Sequence, residues 1–119
     1  MRSRLTDCAD WRTLSCVAEV QVFTTDEFDK WLVKQSPKTR VMVQARLDFV
    51  SLGHFGNHKR FHGLIELRWV NGTRVYAFHW GQAIVVALVG GNKHAQDKDI
   101  RKAQKIRDEI LEGARTVRK

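Results

Sequence analysis

The sequence predicts an α+β fold, in which a small twisted antiparallel sheet packs on a helical hairpin and a further helix follows at the C-terminus. Val20 and Val22 alternate with polar neighbours, which is typical of a strand with one buried face. Between two β-rich stretches stands Asn71-Gly72, which predicts a tight hairpin turn. Elsewhere apolar residues recur at helical spacing behind capping residues, and this spacing predicts helices.

The first strand is predicted over residues 17–23, and the first helix follows it directly. Thr24 and Glu27 have the spacing of a capping box, which marks the start of a helix. One face of this short helix carries three large apolar residues, Phe28, Trp31 and Leu32.

A second helix is predicted to begin at Ser36-Pro37, because serine is a favoured N-cap and proline a favoured first helical residue. Gly53 is expected to end it. Its predicted apolar stripe consists of Met42, Ala45, Phe49 and Leu52. The two helices are expected to form the hairpin that covers the sheet.

Residues 54–62 are predicted to form an irregular loop that contains three histidines and two cations. The histidine spacing is irregular and no Cys or Asp accompanies it, so a metal site is not predicted. One interpretation is a polar surface loop. Another is that Lys59 and Arg60 grip a phosphate backbone while Phe55 or Phe61 stacks on a base.

The register of the hairpin depends on the length of its turn. If the Asn-Gly pair alone forms the turn, Leu67 pairs with Tyr76, and Arg68 and Arg74 point to opposite faces of the sheet. A longer turn would change this. With the short turn, one face carries Ile65, Leu67, Trp69, Arg74, Tyr76, Phe78 and Trp80. We expect this aromatic face to meet the helices.

The last strand ends at Gly90-Gly91, and a basic amphipathic helix is predicted after it. Asp97 and Asp99 lie in the first turn of this helix, where their negative charges interact favourably with the helix dipole. Its apolar stripe consists of Ile100, Ala103, Ile106 and Ile110. A single core is expected to include Trp31, Phe49, Leu67 and Val86.

Charge gives the first indication of function. The chain of 119 residues has 21 Lys and Arg against 13 Asp and Glu, a formal charge of +8 and a pI near 10.0. This excess favours a polyanionic partner, either nucleic acid or an acidic protein segment, although a basic surface kept for solubility is the alternative.

Length and composition indicate one domain that acts in the cytoplasm. We expect residues 1–16 to be a poorly ordered N-terminal extension and residues 17–119 to form a single domain. No apolar run is long enough to span a bilayer, and the N-terminus lacks the apolar region of a signal peptide. Cys8 and Cys16 specify neither a disulfide framework nor a zinc site, and no cofactor is predicted.

Five short motifs indicate a family. They are Glu66-Leu67-Arg68, Arg74-Val75-Tyr76, Gly90-Gly91-Asn92-Lys93, Gln96-Asp97, and Ile100 with Ala103. Over roughly residues 17–111 the chain resembles the RelE/ParE superfamily of toxins from bacterial toxin-antitoxin modules, and most closely its HigB-like, phage-derived addiction module killer proteins. The resemblance implies an endoribonuclease that cleaves messenger RNA, usually at the ribosome, and is neutralised by a cognate antitoxin.

The resemblance also suggests site residues. Cleavage by 2′-hydroxyl attack needs a base, an acid and cations that stabilise the developing charge. Arg74 is the first candidate for the cation and Lys93 the second, although both could be ordinary exposed charges. Better-known members carry lysines where this chain has Leu64 and Glu66, so their general base cannot be carried over.

Candidates for the missing base are Tyr76, His79 and His94, because histidine ionises near neutral pH. Residues expected to bind RNA are Lys59, Arg60, Arg68 and Gln96. Arg68 could instead support Glu66 or meet an antitoxin. Two other functions stay open: a ParE-like gyrase inhibitor without nuclease activity, and an inactive phage-derived remnant.

Overall fold

The computed structural model describes residues 20–81 and 84–113. Its elements in chain order are β1 (Gln21–Thr24), α1 (Asp26–Val33), α2 (Pro37–Ser51), β2 (His58–Phe61), β3 (Leu64–Arg68), β4 (Thr73–Trp80), β5 (Ile84–Asn92), a 3₁₀ turn (Lys93–Ala95) and α3 (Gln96–Leu111). The extension predicted over residues 1–16, with both cysteines, lies outside the described residues. Within the described part of the chain, no helix combines the length and apolar character needed to cross a bilayer.

The α+β class is confirmed, and the sheet is mixed. Its five strands have the order β1-β5-β4-β3-β2. Strands β2 to β5 pair antiparallel with their neighbours, whereas β1 pairs parallel with β5. A parallel pair needs a long crossover connection between its strands, and the chain from α1 to β4 supplies it.

Residues 54–62 are not wholly irregular, because β2 forms within them and pairs with β3. Phe61 lies opposite Leu64, so only His62 and Gly63 make the turn. Both have positive φ, 52° and 74°, as a type I′ turn requires. The prediction of a loop was wrong here because a His-Gly pair is not one of the strong hairpin signals, such as Asn-Gly or Asp-Gly, that a sequence offers.

The first helix is capped one residue later than predicted. Thr25, not Thr24, is the N-cap of α1, and its Oγ1 accepts a hydrogen bond from the Phe28 N–H at 3.1 Å. The same hydroxyl donates to the Leu88 carbonyl of β5 at 2.6 Å. Thr25 therefore starts α1 and also ties it to the sheet. Ser36 caps α2 as predicted.

The apolar stripe predicted for α2 was wrong. Phe49 and Leu52 are 55% and 47% exposed, and the buried residues of the helix are Val43, Leu47 and Val50. The cause is that α2 carries apolar residues on two opposite faces, so periodicity alone does not choose the buried one.

The sheet is covered on both faces, so there are two packed layers and not one core. On one face α1 and α2 pack against a cluster that includes Leu67, whereas on the other α3 packs against a cluster that includes Val86. These two residues were expected to share a core. The predicted stripe of α3 is confirmed, with Ala103, Ile106 and Ile110 buried.

Gly90 and Gly91 in β5 make room for side chains from both layers. A Cβ atom at Gly90 would overlap the ring of Trp31 from α1. One at Gly91 would overlap the carboxylate of Asp99 from α3. The glycine pair thus lets two helices approach the sheet closely.

We expect Gly90→Ala to destabilise the fold by about 2 kcal/mol, because the added methyl group must displace a packed indole ring. Urea denaturation of the parent and the variant measures this cost. In a Trp31→Leu background the same substitution should cost less, since the overlap is relieved. An unchanged unfolding midpoint for Gly90→Ala would contradict the packing described here.

Candidate functional site

The β3–β4 hairpin has a longer turn than the two-residue one, which changes the register. The Trp69 N–H donates to the Thr73 carbonyl at 3.1 Å, and the Gly72 N–H donates to the Trp69 carbonyl at 3.1 Å. Three residues, 70–72, therefore make the loop. Arg68 lies directly opposite Arg74. The register differs by one residue from that of a two-residue turn, so the longer turn left open by the sequence is the one that forms, and the two arginines share a face.

This register also redistributes the other side chains. The face toward α1 and α2 carries Ile65, Leu67, Trp69, Val75 and Ala77. The face toward α3 carries Leu64, Tyr76 and Phe78. The single aromatic face predicted for the short turn was therefore wrong, because a one-residue shift in register exchanges the faces of one strand.

Glu66 is a buried carboxylate at the centre of β3, with an exposed fraction of 2%. Its Oε2 accepts a hydrogen bond from the Gln96 side-chain amide of α3 at 2.8 Å. Its Oε1 lies 3.4 Å from Nε of Arg68. Glu66 is thus held between its own strand and the first residue of α3.

Arg74, the first candidate for stabilising phosphate charge, is 7% exposed. Its Nη1 donates to the carbonyls of Trp69 and Thr73 at 3.0 and 2.9 Å. Its Nε is buried and makes no hydrogen bond with a described residue. The guanidinium of Arg74 therefore holds the β3–β4 loop closed.

Tyr76 lies opposite Glu66 and is fully buried. Burial raises the pKa of Tyr76 well above its ordinary value, and the nearby Glu66 raises it further. Among the described residues, none forms a hydrogen bond of good geometry with its hydroxyl. A phenol that is both buried and hard to ionise is poorly suited to act as a base.

A groove of about 560 Å³, here called the basic groove, lies between β2, β3 and the start of α3. It is lined by Lys59, Arg60, Phe61, Glu66, Arg68, Gln96, Asp97 and Ile100. All four residues predicted to bind RNA therefore line one groove. The side chain of Arg60 nevertheless turns toward Phe55, with its guanidinium carbon 5.2 Å from the ring centroid.

A second hollow of about 480 Å³, here called the α3 depression, adjoins the basic groove. It is lined by Lys93, His94, Ala95, Gln96, Asp97, Lys98 and Arg101. Gln96 and Asp97 line both. The Lys93 N–H donates to the Gly72 carbonyl at 2.9 Å, and its aliphatic chain lies against Gly72. Lys93 is therefore anchored to the β3–β4 loop.

The three candidate bases lie in different surroundings. His94 is exposed in the α3 depression, whereas Tyr76 is buried beneath the sheet surface. His79 shares the face of Ala77, and its ring lies 5.5 Å from that of Phe55. Burial lowers the pKa of His79, and Arg60 lowers it further. Of the three, His94 is the one that is exposed, and it lines the hollow that adjoins the basic groove.

Arg46 of α2 was missed by the sequence analysis. Its guanidinium donates to the carbonyls of Phe55, Asn57 and Arg68 at 3.3, 3.2 and 3.1 Å. It also lies 4.5 Å from the ring centroid of Trp69. Arg46 therefore fixes the end of β3. The sequence signal for this role was the position of an arginine next to the buried residues of α2, from which it can reach the sheet.

The acidic and imidazole groups of the described residues do not cluster in a way that could bind a metal. Across residues 20–81 and 84–113, no three or more His, Cys, Asp or Glu side chains lie close enough together to hold an ion.

Tyr76 offers a direct test of this arrangement, because it is the single tyrosine of the chain. Its folded-state pKa lies above the ordinary value of 10.0, so its contribution to stability is complete below pH 10 and falls as the pH rises further. We expect tyrosinate absorbance to appear only as the protein unfolds. As the pH rises above 10, the free energy of unfolding of Tyr76→Phe should fall less than that of the parent, because phenylalanine has no group to ionise. Ionisation near pH 10 in a protein that circular dichroism shows to be folded would contradict the burial of Tyr76.

Comparison with known proteins identifies a relative in Haemophilus influenzae. No protein-family model matches the chain. The chain is similar to a protein of Haemophilus influenzae (strain ATCC 51907 / DSM 11121 / KW20 / Rd) that is described as uncharacterized. The two are 36% identical over 95 residues, which cover 76% of this chain and 96% of the relative. The chain therefore belongs to the same protein family as this Haemophilus influenzae protein.

Proposed function

We propose that this chain is the toxin of a type II toxin-antitoxin module that cleaves messenger RNA, in association with the ribosome, and thereby inhibits translation in the cytoplasm. The observation that carries the proposal is the basic groove, in which Lys59, Arg68 and Gln96 come together from three elements. The sequence motifs that resemble RelE/ParE toxins support the same function. A cognate antitoxin is the proposed protein partner.

The charge of the site suits a nucleic-acid backbone. The lining of the basic groove includes three cationic residues and two carboxylates, and the chain as a whole has a formal charge of +8. Long-range attraction of this sign draws in a polyanion, and phosphate contacts then contribute most of the affinity. An acidic antitoxin segment would compete for the same surface.

Cleavage in this proposal uses the RNA itself as the nucleophile. The 2′-oxygen bonds to phosphorus while the bond from phosphorus to the 5′-oxygen breaks. A base takes the 2′-hydroxyl proton and an acid gives a proton to the departing 5′-oxygen. His94 is the proposed proton-transfer group, because it is exposed beside the basic groove, and Lys93 is a nearby cation.

The proposal is tested by brief induction of the chain in cells, followed by primer-extension mapping of their transcripts. Discrete cuts within translated regions are expected, and co-expression of the antitoxin should abolish them. If no transcript is cut but gyrase is trapped on DNA, the ParE-like alternative is correct. If induction causes neither effect, the chain is an inactive remnant.

His94→Ala should reduce transcript cleavage roughly a hundredfold, because a positioned acid or base contributes at least this much to proton transfer. His54→Ala is the matched control, since His54 is an exposed histidine outside both the basic groove and the α3 depression. Thermal melting should be unchanged for both variants. Parental cleavage by His94→Ala would exclude the assigned role.

A further inference from the structure

We propose that Glu66 is a positioning residue, which holds Arg68 so that the Arg68 guanidinium meets an RNA phosphate in the basic groove. The inference rests on the proposed function, because it names the contact by which that groove would bind RNA. The two arginines of the hairpin then have different roles: Arg68 binds the RNA phosphate, and Arg74 stabilises the β3–β4 loop.

The burial of Glu66 needs a reason. A carboxylate that is 2% exposed loses most of its hydration, and this loss is unfavourable unless charged or polar partners replace the water. Glu66 has such partners in Arg68 and Gln96. An apolar residue at this position would avoid the cost altogether, so the carboxylate is best explained by what it does to its partners.

Arg68 is the partner that can reach a ligand. Its Nε is buried and forms an ion pair with Oε1 of Glu66 at 3.4 Å, without the geometry of a hydrogen bond, whereas its side chain as a whole is 30% exposed. With the described residues its terminal nitrogens make no hydrogen bond. The backbone of Arg68 is fixed as well, since its carbonyl accepts from Arg46 at 3.1 Å and its N–H donates to the Asn57 carbonyl at 3.0 Å. The Nε end of the guanidinium is thus held beside Glu66, while Nη1 and Nη2 are available to bind a phosphate.

Arg74 lies directly opposite but is differently placed. It is 7% exposed, and its Nη1 is occupied by two carbonyls of the β3–β4 loop. Two cations on facing positions repel one another, and Glu66 on the same sheet face reduces that repulsion. Arg74 therefore adds positive potential beneath the groove, whereas Arg68 supplies the group that a phosphate can touch.

The direction in which one substitution changes RNA affinity distinguishes a positioning role of Glu66 from a purely electrostatic one. Glu66→Gln removes a negative charge beside the groove, so electrostatics alone predicts tighter binding of RNA. If Glu66 positions Arg68, the loss of the ionic contact leaves the guanidinium less ordered, and binding should weaken although the net charge rises.

The experiment measures fluorescence anisotropy of a labelled single-stranded RNA of about twelve nucleotides. Its riboses are 2′-O-methylated, so that it cannot be cleaved by 2′-hydroxyl attack. Titrations at several salt concentrations give the affinity and its salt dependence. Arg68→Ala should weaken binding roughly tenfold and reduce the slope of log affinity against log salt by about 0.7, as expected for one lost phosphate contact.

Glu66→Gln should weaken binding severalfold and shift the salt slope toward that of Arg68→Ala. Adding it to Arg68→Ala should cause no further loss, because both substitutions remove the same contact. Lys105→Ala is the matched control, since it removes one exposed cation from α3 outside the basic groove. It should stay within about twofold of the parent.

Folding is checked by thermal melting of every variant. Arg74→Ala should melt at a lower temperature than the parent, because the loop carbonyls lose their donor. If Glu66→Gln does not fold, Gln96→Ala decides, since it removes the other arm that holds the carboxylate. Its effect is measured in the parent and in the Arg68→Ala background, because a direct contact of Gln96 with RNA would weaken binding in both, whereas an effect through Arg68 would be absent from the second. Gln96→Ala should weaken RNA binding severalfold, and parental affinity in that variant would overturn the inference.

Three further results would overturn it. They are parental or tighter binding by folded Glu66→Gln, an effect of Arg68→Ala no larger than that of Lys105→Ala, and failure of the parent to bind the RNA. Transcript mapping keeps the two proposals apart. If one of these results is obtained but the parent still cuts transcripts in cells, only the inference fails. If the parent neither binds the RNA nor cuts transcripts, the proposed function fails as well.

Discussion

The site depends on one constraint, which is the pairing register of β3 with β4. Side chains alternate between the two faces of a strand, so a slip of one residue would carry Glu66 and Arg68 away from Arg74 and Tyr76. The backbone hydrogen bond from the Trp69 N–H to the Thr73 carbonyl marks this register, and Arg74 Nη1 secures the same loop through its bond to the Trp69 carbonyl. The buried guanidinium of Arg74 thus helps to fix the position of Arg68, whose guanidinium is partly exposed.

Much of the fold could be predicted from local sequence. Ser36-Pro37 marked the start of α2, Asn71-Gly72 located the hairpin, and the isoleucine stripe of α3 is buried as expected. The exact register could not be predicted, because an Asn-Gly pair indicates where a chain reverses but not whether a third residue joins the loop. The buried face of α2 was also undetermined, since both of its faces are apolar and only the tertiary contacts select one.

The candidate site was predictable in composition but not in arrangement. The motifs of the family resemblance suggested Arg68 and Gln96, the composition of residues 54–62 suggested Lys59, and all three line one groove. What the resemblance did not supply was the contact of Gln96 with Glu66, which joins residues 30 positions apart, or the support of β3 by Arg46. Such contacts arise from the packing of α2 and α3 on opposite faces of the sheet, and no short motif encodes them. The division of labour between the two arginines follows from these contacts.

Nuclear Overhauser effects across β3 and β4 test the register most directly. Because Trp69 and Thr73 are joined by a hydrogen bond from N–H to carbonyl, the next pair outward, Arg68 and Arg74, is a non-hydrogen-bonded pair, whose Cα atoms lie about 4.5 Å apart in antiparallel sheets. Strong Hα–Hα effects are expected between Arg68 and Arg74 and between Glu66 and Tyr76. Strong effects that instead join Trp69 to Arg74 and Leu67 to Tyr76 would establish the two-residue turn, place the arginines on opposite faces and contradict the site described here.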